Sequence, residues 1–86
     1  MIVIYSRDDC VYCARAIRLA EKKNVKHKVL KIGTEEISLH EFQQMFPNAS
    51  TVPQIVNVED NGNEYIGGYA EFDHWVLSKA LGGITL

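Results

Sequence analysis

The residues able to do chemistry are concentrated in Cys10-Val11-Tyr12-Cys13, which holds the only two cysteines of the 86-residue chain. Separated by two residues, both thiols lie on one turn and can close a disulfide with each other. A thiol attacks as its thiolate, and an unperturbed pKa of about 8.5 leaves few thiolates at neutral pH. The pair follows an apolar, strand-like run and opens a helical pattern. The unpaired N–H groups and the positive end of that helix therefore act on Cys10. Arg7 adds positive charge nearby, while Asp8 and Asp9 oppose it. Cys13 lies one turn further in, on the apolar stripe. These positions assign Cys10 to attack a substrate disulfide and Cys13 to resolve the mixed disulfide by attacking Cys10.

Two further motifs bear on the same chemistry. In Thr51-Val52-Pro53 the proline fixes its own φ, removes a donor and pushes Val52 into an extended conformation. An extended segment with free backbone groups can hold a peptide-like substrate by strand-type pairing. A cis bond before Pro53 would mark the segment as part of a site, whereas a plain strand start is the structural alternative. Gly67-Gly68 allows close backbone approach, and the N–H groups of Tyr69 and Ala70 that follow could bind a carboxylate. By itself the glycine pair is only a turn. A zinc site needs four ligands, and a second C-x-x-C is missing. His27, His40 and His74 make no ligand pair, and His40 alone reads as a solvated helix residue. An iron–sulfur cluster shared between two chains stays open as an alternative. A purely structural disulfide across two residues would remove little chain entropy.

The elements that must position these residues follow the order β-α-β-α-β-β-α. Residues 2–5 form a nearly continuous apolar strand, as expected when both faces are buried. A helix is expected over 11–23, with Asp8 or Asp9 as its cap, Cys13, Ala16, Ile17 and Ala20 as its apolar stripe, and Asn24 as its stop. Residues 26–32 read as a lysine-interrupted edge strand. Ser38 caps a second helix with Glu41 completing a capping box, and Leu39, Phe42 and Phe46 form its buried face. A strand over 54–58 turns through Asp60-Asn61-Gly62-Asn63 into a strand over 64–66, with Asn-Gly supplying the positive φ angles. The last helix is expected over 70–81, with Phe72, Val76 and Ala80 stacked, Leu77 and Leu81 beside them, and Gly82 as its cap. This pattern fits an α/β fold with a four-stranded mixed sheet, flanked by helices on both faces.

At 9.7 kDa the chain has room for one domain, and 47% apolar residues suffice for its core. A net charge of −2 gives no basic footprint for nucleic acid or an anionic membrane. The start of the chain has no signal-peptide pattern, and no apolar run reaches the ~20 residues of a membrane span. The expected compartment is the cytoplasm, where a close cysteine pair is catalytic or metal-binding more often than structural.

C-V-Y-C, T-V-P-Q and I-G-G, in this order within one short chain, resemble the glutaredoxin family. The resemblance covers essentially all of residues 1–86 as a single domain. It implies a thioredoxin-like fold, a cis bond before Pro53, glutathione as reducing co-substrate, no metal and a monomer. The implied activity is glutathione-dependent reduction of protein disulfides and glutathione mixed disulfides, with ribonucleotide reductase as one protein client suggested by the resemblance. Cys10 would be the thiol that becomes glutathionylated, and Cys13 the resolving thiol. Tyr12 would flank glutathione, and Arg7 would stand near its glycine carboxylate, where the family usually has a lysine. Thr51 and Val52, beside Pro53, would pair with the cysteinyl backbone. Gly68, Tyr69 and Ala70 would surround the γ-glutamyl end.

The chain departs from the family at four positions. Val11 replaces the usual proline. Ala70 stands where many members have an acidic or hydroxyl residue, so Glu71 either takes over that contact or faces solvent. His40 stands where a glutamine or basic residue often reaches the glycine end. Two other readings compete: a small redoxin recharged by thioredoxin reductase, and a [2Fe–2S]-binding glutaredoxin.

Overall fold

The protein is described by a computed structural model covering residues 1–80. The elements are β1 (Ile2–Ser6), α1 (Val11–Lys22), β2 (His27–Lys31), α2 (Leu39–Met45), β3 (Gln54–Glu59), β4 (Gly62–Gly67) and α3 (Tyr69–Ala80). What was expected of the Ala80 side chain, Leu81 and Gly82 falls outside what is described.

The sheet order is β2-β1-β3-β4, with β1 parallel to β2 and antiparallel to β3, and with β3 and β4 antiparallel. All of β1 is buried because successive side chains face opposite layers. Ile2 and Ile4 join Ile55 on one face, packed against Ala16 and Ala20 of α1 and Phe72 and Val76 of α3. Val3 and Tyr5 join Val56 on the other face, beneath Phe42 of α2 and Ile37. This is the expected mixed sheet with helices on both faces, and it is a thioredoxin-like fold. Beta1 and α1 thereby aim the loop between them, and Cys10 with it, at one end of the sheet.

Several local devices match their residue types. Ser38 caps α2, its hydroxyl accepting from the Glu41 N–H at 3.0 Å while Glu41 Oε1 accepts from the Ser38 N–H at 3.2 Å. Alpha1 ends with Asn24 at a φ of 54°. There the Val25 N–H donates to Ala20 O at 2.9 Å and the Asn24 N–H to Glu21 O at 3.2 Å, a Schellman arrangement.

Four expectations are corrected. Leu39 and Leu77 are exposed rather than buried, at 53% and 58%. Alpha2 is short, so Leu39 in its first turn lies beyond the edge of the apolar layer, and Leu77 turns off the α3 face that holds Phe72. The cap of α1 is Cys10, not an aspartate. Asp8 instead pairs with Lys31 of β2 at 3.0 Å, which draws its carboxylate away from the helix. In the hairpin, the positive φ falls on Gly62 alone, at 133°, because Asp60 and Asn61 form the loop and Gly62 already opens β4.

Two outcomes are expected. Phe72→Ala should cost about 3–5 kcal/mol in urea unfolding at fixed redox state, since a fully buried ring between α3 and the sheet is lost. The second concerns Glu41, whose carboxyl is held below its ordinary pKa by the hydrogen bond from the Ser38 backbone and then by the Ser38 side chain. A depressed pKa contributes stability above the unfolded value and loses it as pH falls through the folded one. Glu41→Gln should therefore flatten the stability curve on the acid side, measured as urea midpoints across the carboxylate range.

Candidate active site

The backbone at Cys10 is extended, with φ −137° and ψ 108°, and its carbonyl accepts the Ala14 N–H at 3.1 Å. Its Sγ accepts the Cys13 N–H at 3.1 Å, so the sulfur does the work that serine or aspartate does at other helix starts. The atom thus lies at the positive end of a 12-residue helix, where a thiolate formed on reduction of the disulfide is stabilised. Cys10 and Cys13 are joined as a disulfide with 5.2 Å between their Cα atoms. The two sulfurs differ in access: Cys10 is half-buried, whereas Cys13 is 1% exposed beneath the α1 face.

Opposite Cys10 stands the segment before β3. The Val52–Pro53 peptide is cis, Pro53 is buried, and the Val52 carbonyl oxygen lies 3.6 Å from Cys10 Sγ. A groove of about 560 Å³ opens beside them, lined by Arg7, Cys10, Ile32, Thr34 and Val52. A second, of about 220 Å³, continues from Arg7 and Val52 along Thr51 to Leu39, Phe42 and Gln43 of α2. The structure thus brings Arg7, Cys10, Thr51 and Val52 together. His40 stays on the exposed side of α2 and lines neither groove, while Gln43, one turn on, does. The Asp8 carboxylate beside Lys31 raises the lysine's pKa above its ordinary value, through a hydrogen bond and through its charge.

On the far side of the disulfide, Tyr12 projects between the two cysteines, 55% exposed. Its ring centroid is 6.0 Å from that of Tyr69, and the Arg15 guanidinium sits 5.2 Å over it. Gly67 has a φ of 123°, and a Cβ there would come within 2.9 Å of Glu71 Oε1. That oxygen accepts the Gly68 N–H at 2.8 Å, so Glu71 caps α3 from inside its own first turn. Glu71 therefore neither simply faces solvent nor leaves the helix start bare. Tyr69 is half-buried and Ala70 exposed beside it.

The glutaredoxin family model matches residues 2–61. The chain belongs to the glutaredoxin family. It is 36% identical to glutaredoxin 1 of Escherichia coli over 80 residues, covering 86% of this chain and 89% of that one. The solution structure of reduced E. coli glutaredoxin aligns with a TM-score of 0.68 at 35% identity, covering 92% of this chain and 95% of that one. A buckwheat glutaredoxin–glutathione complex shares the fold, with a TM-score of 0.66 at 20% identity over 93% of this chain and 71% of that one. So does a trimeric glutathione transferase of Leishmania, with a TM-score of 0.70 at 19% identity over 92% of this chain, which spans 18% of that longer one. With the C-x-x-C pair closed as a disulfide, this glutaredoxin is a thiol–disulfide oxidoreductase.

Other residues at the site had no signal in the sequence. Gln43 and Thr34 are ordinary polar residues whose place depends on how α2 and the β2 loop fold back. Among the described residues, no group of three or more His, Cys, Asp or Glu is placed to hold a metal ion. No described helix is long and apolar enough to cross a membrane.

Gly67→Ala tests the tight corner before α3. The substitution forces an L residue into the positive-φ region and a Cβ against the Glu71 carboxylate, an expected loss of about 1–3 kcal/mol in urea unfolding. Gly67→Ala combined with Glu71→Ala should recover only the part due to the clash.

Proposed function

We propose that residues 1–86 form one glutathione-dependent dithiol–disulfide oxidoreductase domain that acts as a monomer, with Cys10 as nucleophile and Cys13 as resolving thiol. The observation that carries this reading is the unequal placement of the two sulfurs. Cys10 sits accessible on a helix N-terminus facing Val52, with Cys13 buried one turn behind it. A helix start favours the thiolate, and the thiolate is the attacking species.

With a glutathione mixed disulfide, the Cys10 thiolate attacks the glutathionyl sulfur. The client leaves as its thiolate and glutathione stays bonded to Cys10. A second glutathione thiolate then attacks that glutathionyl sulfur, releasing glutathione disulfide and restoring Cys10. With a protein disulfide, Cys10 forms the mixed disulfide and frees one client thiolate. Cys13, deprotonated, attacks Cys10 Sγ, frees the second client thiolate and closes the Cys10–Cys13 bond. Two glutathione molecules, supplying two electrons, return the pair to the dithiol.

For glutathione itself, Arg7 supplies a cation for the glycine carboxylate, in the groove where Gln43 also lies and His40 does not. Thr51 and Val52, beside Pro53, offer backbone pairing to the cysteinyl unit. Tyr12 forms a flank with Tyr69 behind it. Gly68, Tyr69 and Ala70 receive the γ-glutamyl end, and Glu71 takes over the polar contact that Ala70 cannot make. A reducing compartment such as the cytoplasm suits this cycle. Protein clients are disulfide-bearing proteins, with ribonucleotide reductase the one suggested by family resemblance. A small redoxin recharged by thioredoxin reductase is the competing reading, favoured only by the apolar side chain at Ala70.

The test couples turnover of a small glutathione mixed disulfide to glutathione reductase and its nicotinamide cofactor. Wild type and Cys13→Ser should both turn over, while Cys10→Ser should fall to the uncatalysed rate. Cys13→Ser should lose reduction of protein disulfides. Activity retained in Cys10→Ser would overturn the roles, and turnover with thioredoxin reductase but not with glutathione would move the protein to the competing class.

A further inference from the structure

One buried polar side chain has no part in the mechanism above. Gln54, the first residue of β3, is 4% exposed, and both ends of its amide are engaged. Its Nε2 donates to the Thr51 carbonyl at 2.9 Å. Its Oε1 accepts from the Tyr65 hydroxyl on β4. Chemistry fixes this orientation, because a carbonyl can only accept and so demands the NH₂ end, leaving the amide oxygen for the tyrosine O–H.

The Thr51 carbonyl shares its peptide plane with the Val52 N–H. A planar trans peptide carries these two groups on opposite edges, and the only cis bond described is the next one, Val52–Pro53. With the Thr51 oxygen drawn inward onto buried Gln54, the Val52 N–H is turned outward at the groove beside Cys10. Among the described residues, no protein group accepts that N–H.

We infer that Gln54, held in place by Tyr65, is a positioning residue that aims the Val52 N–H at the backbone carbonyl of a peptide-like disulfide docked on Cys10. The inference rests on the proposed pairing of Thr51 and Val52 with the substrate backbone. Were this peptide turned over, it would present an acceptor to an acceptor. Gln54 thus acts through a backbone group on selectivity: disulfides carrying amides next to the sulfur gain from it, and amide-free disulfides do not.

The experiment mixes fully reduced protein, without added thiol, with glutathione disulfide or with bis(2-hydroxyethyl) disulfide, which has no amide. In both, Cys10 attacks and Cys13 closes the protein disulfide, so two electrons pass to the substrate and two thiols leave. The readout is the ratio of the two second-order rates, because thiolate ionisation affects both alike.

Wild type is expected to prefer glutathione disulfide. Gln54→Met, which keeps the shape and loses the donor, should reduce the preference by roughly three- to tenfold, the worth of one hydrogen bond. Gln54→Glu keeps the acceptor for Tyr65 but, ionised, cannot donate to Thr51. Its preference should be lost above neutral pH and return as the carboxyl protonates and regains a donor. Because glutathione disulfide is anionic, the ionised carboxylate of Gln54→Glu would repel it by charge alone. The loss and return must therefore also appear with a neutral disulfide that keeps the cysteinyl amides; if they appear only with glutathione disulfide, the positioning role fails. Tyr65→Phe removes only a hydroxyl from a 60% exposed ring, so it folds, and it should lose part of the preference. The inference is overturned if all the variants keep the wild-type ratio, or if both rates fall together at every pH. If wild type itself shows no preference, the backbone-pairing role of Thr51 and Val52 fails, and this inference falls with it.

Discussion

The hydrogen bond from the Cys13 N–H to Cys10 Sγ is the contact on which the site depends. A helix start must find acceptors for its first N–H groups, and here the acceptor is the sulfur of the more accessible cysteine. Capping the helix and placing that sulfur at its positive end are therefore one interaction. It holds only if α1 begins at residue 11, and that start is set by Ala16 and Ala20 packing against Ile2, Ile4 and Phe72. The core thus reaches the sulfur through a rigid helix and not through a loop.

The opposite wall has a comparable logic. Pro53 leaves the chain without a donor, and the segment before it cannot join the sheet ladder. Its backbone groups must be held by side chains or offered to a substrate. Thr51 is tied inward, the Val52 carbonyl approaches Cys10, and Arg7 closes the groove from the β1 side. Alpha3 completes the site with Glu71 folded onto its first turn. That carboxylate already meets the helix's positive end, so any anion arriving there shares the field with it.

Much of this was legible in the sequence because the decisive signals are local. The cysteine spacing, the proline after Thr51-Val52, the Ser38–Glu41 capping box and the strand and helix periods each depend on residues within one or two turns. What escaped depends on distant chain. Asp8 looked like a helix cap, but Lys31, on a strand reached only after α1, takes its carboxylate. Apolar periodicity ranked Leu39 and Leu77 as core, yet it cannot say where the neighbouring layer stops. Gln54 stands in the T-V-P-Q run, but that its buried amide joins the Thr51 carbonyl to the Tyr65 hydroxyl shows only once β3 and β4 pair. His40 and Gln43 sit a single turn apart, and only the tilt of α2 decides which of them meets the groove.

The sheet ends in two open edges, and they are not equally armed. Beta2 presents exposed Lys28 and Lys31 along a strand of 5 residues. Beta4 is bounded by glycines and carries Asn63 and Glu64 in the open. An approaching strand would have to bury ammonium or carboxylate groups to extend either ladder, and short polar edges of this kind resist that growth. One edge carries Lys28 and the Asp8-paired Lys31 and the other carries Glu64, so each repels only a like edge of a second molecule. Like-to-like extension of the sheet is thereby disfavoured at either end, by charge and by the short length of the edges.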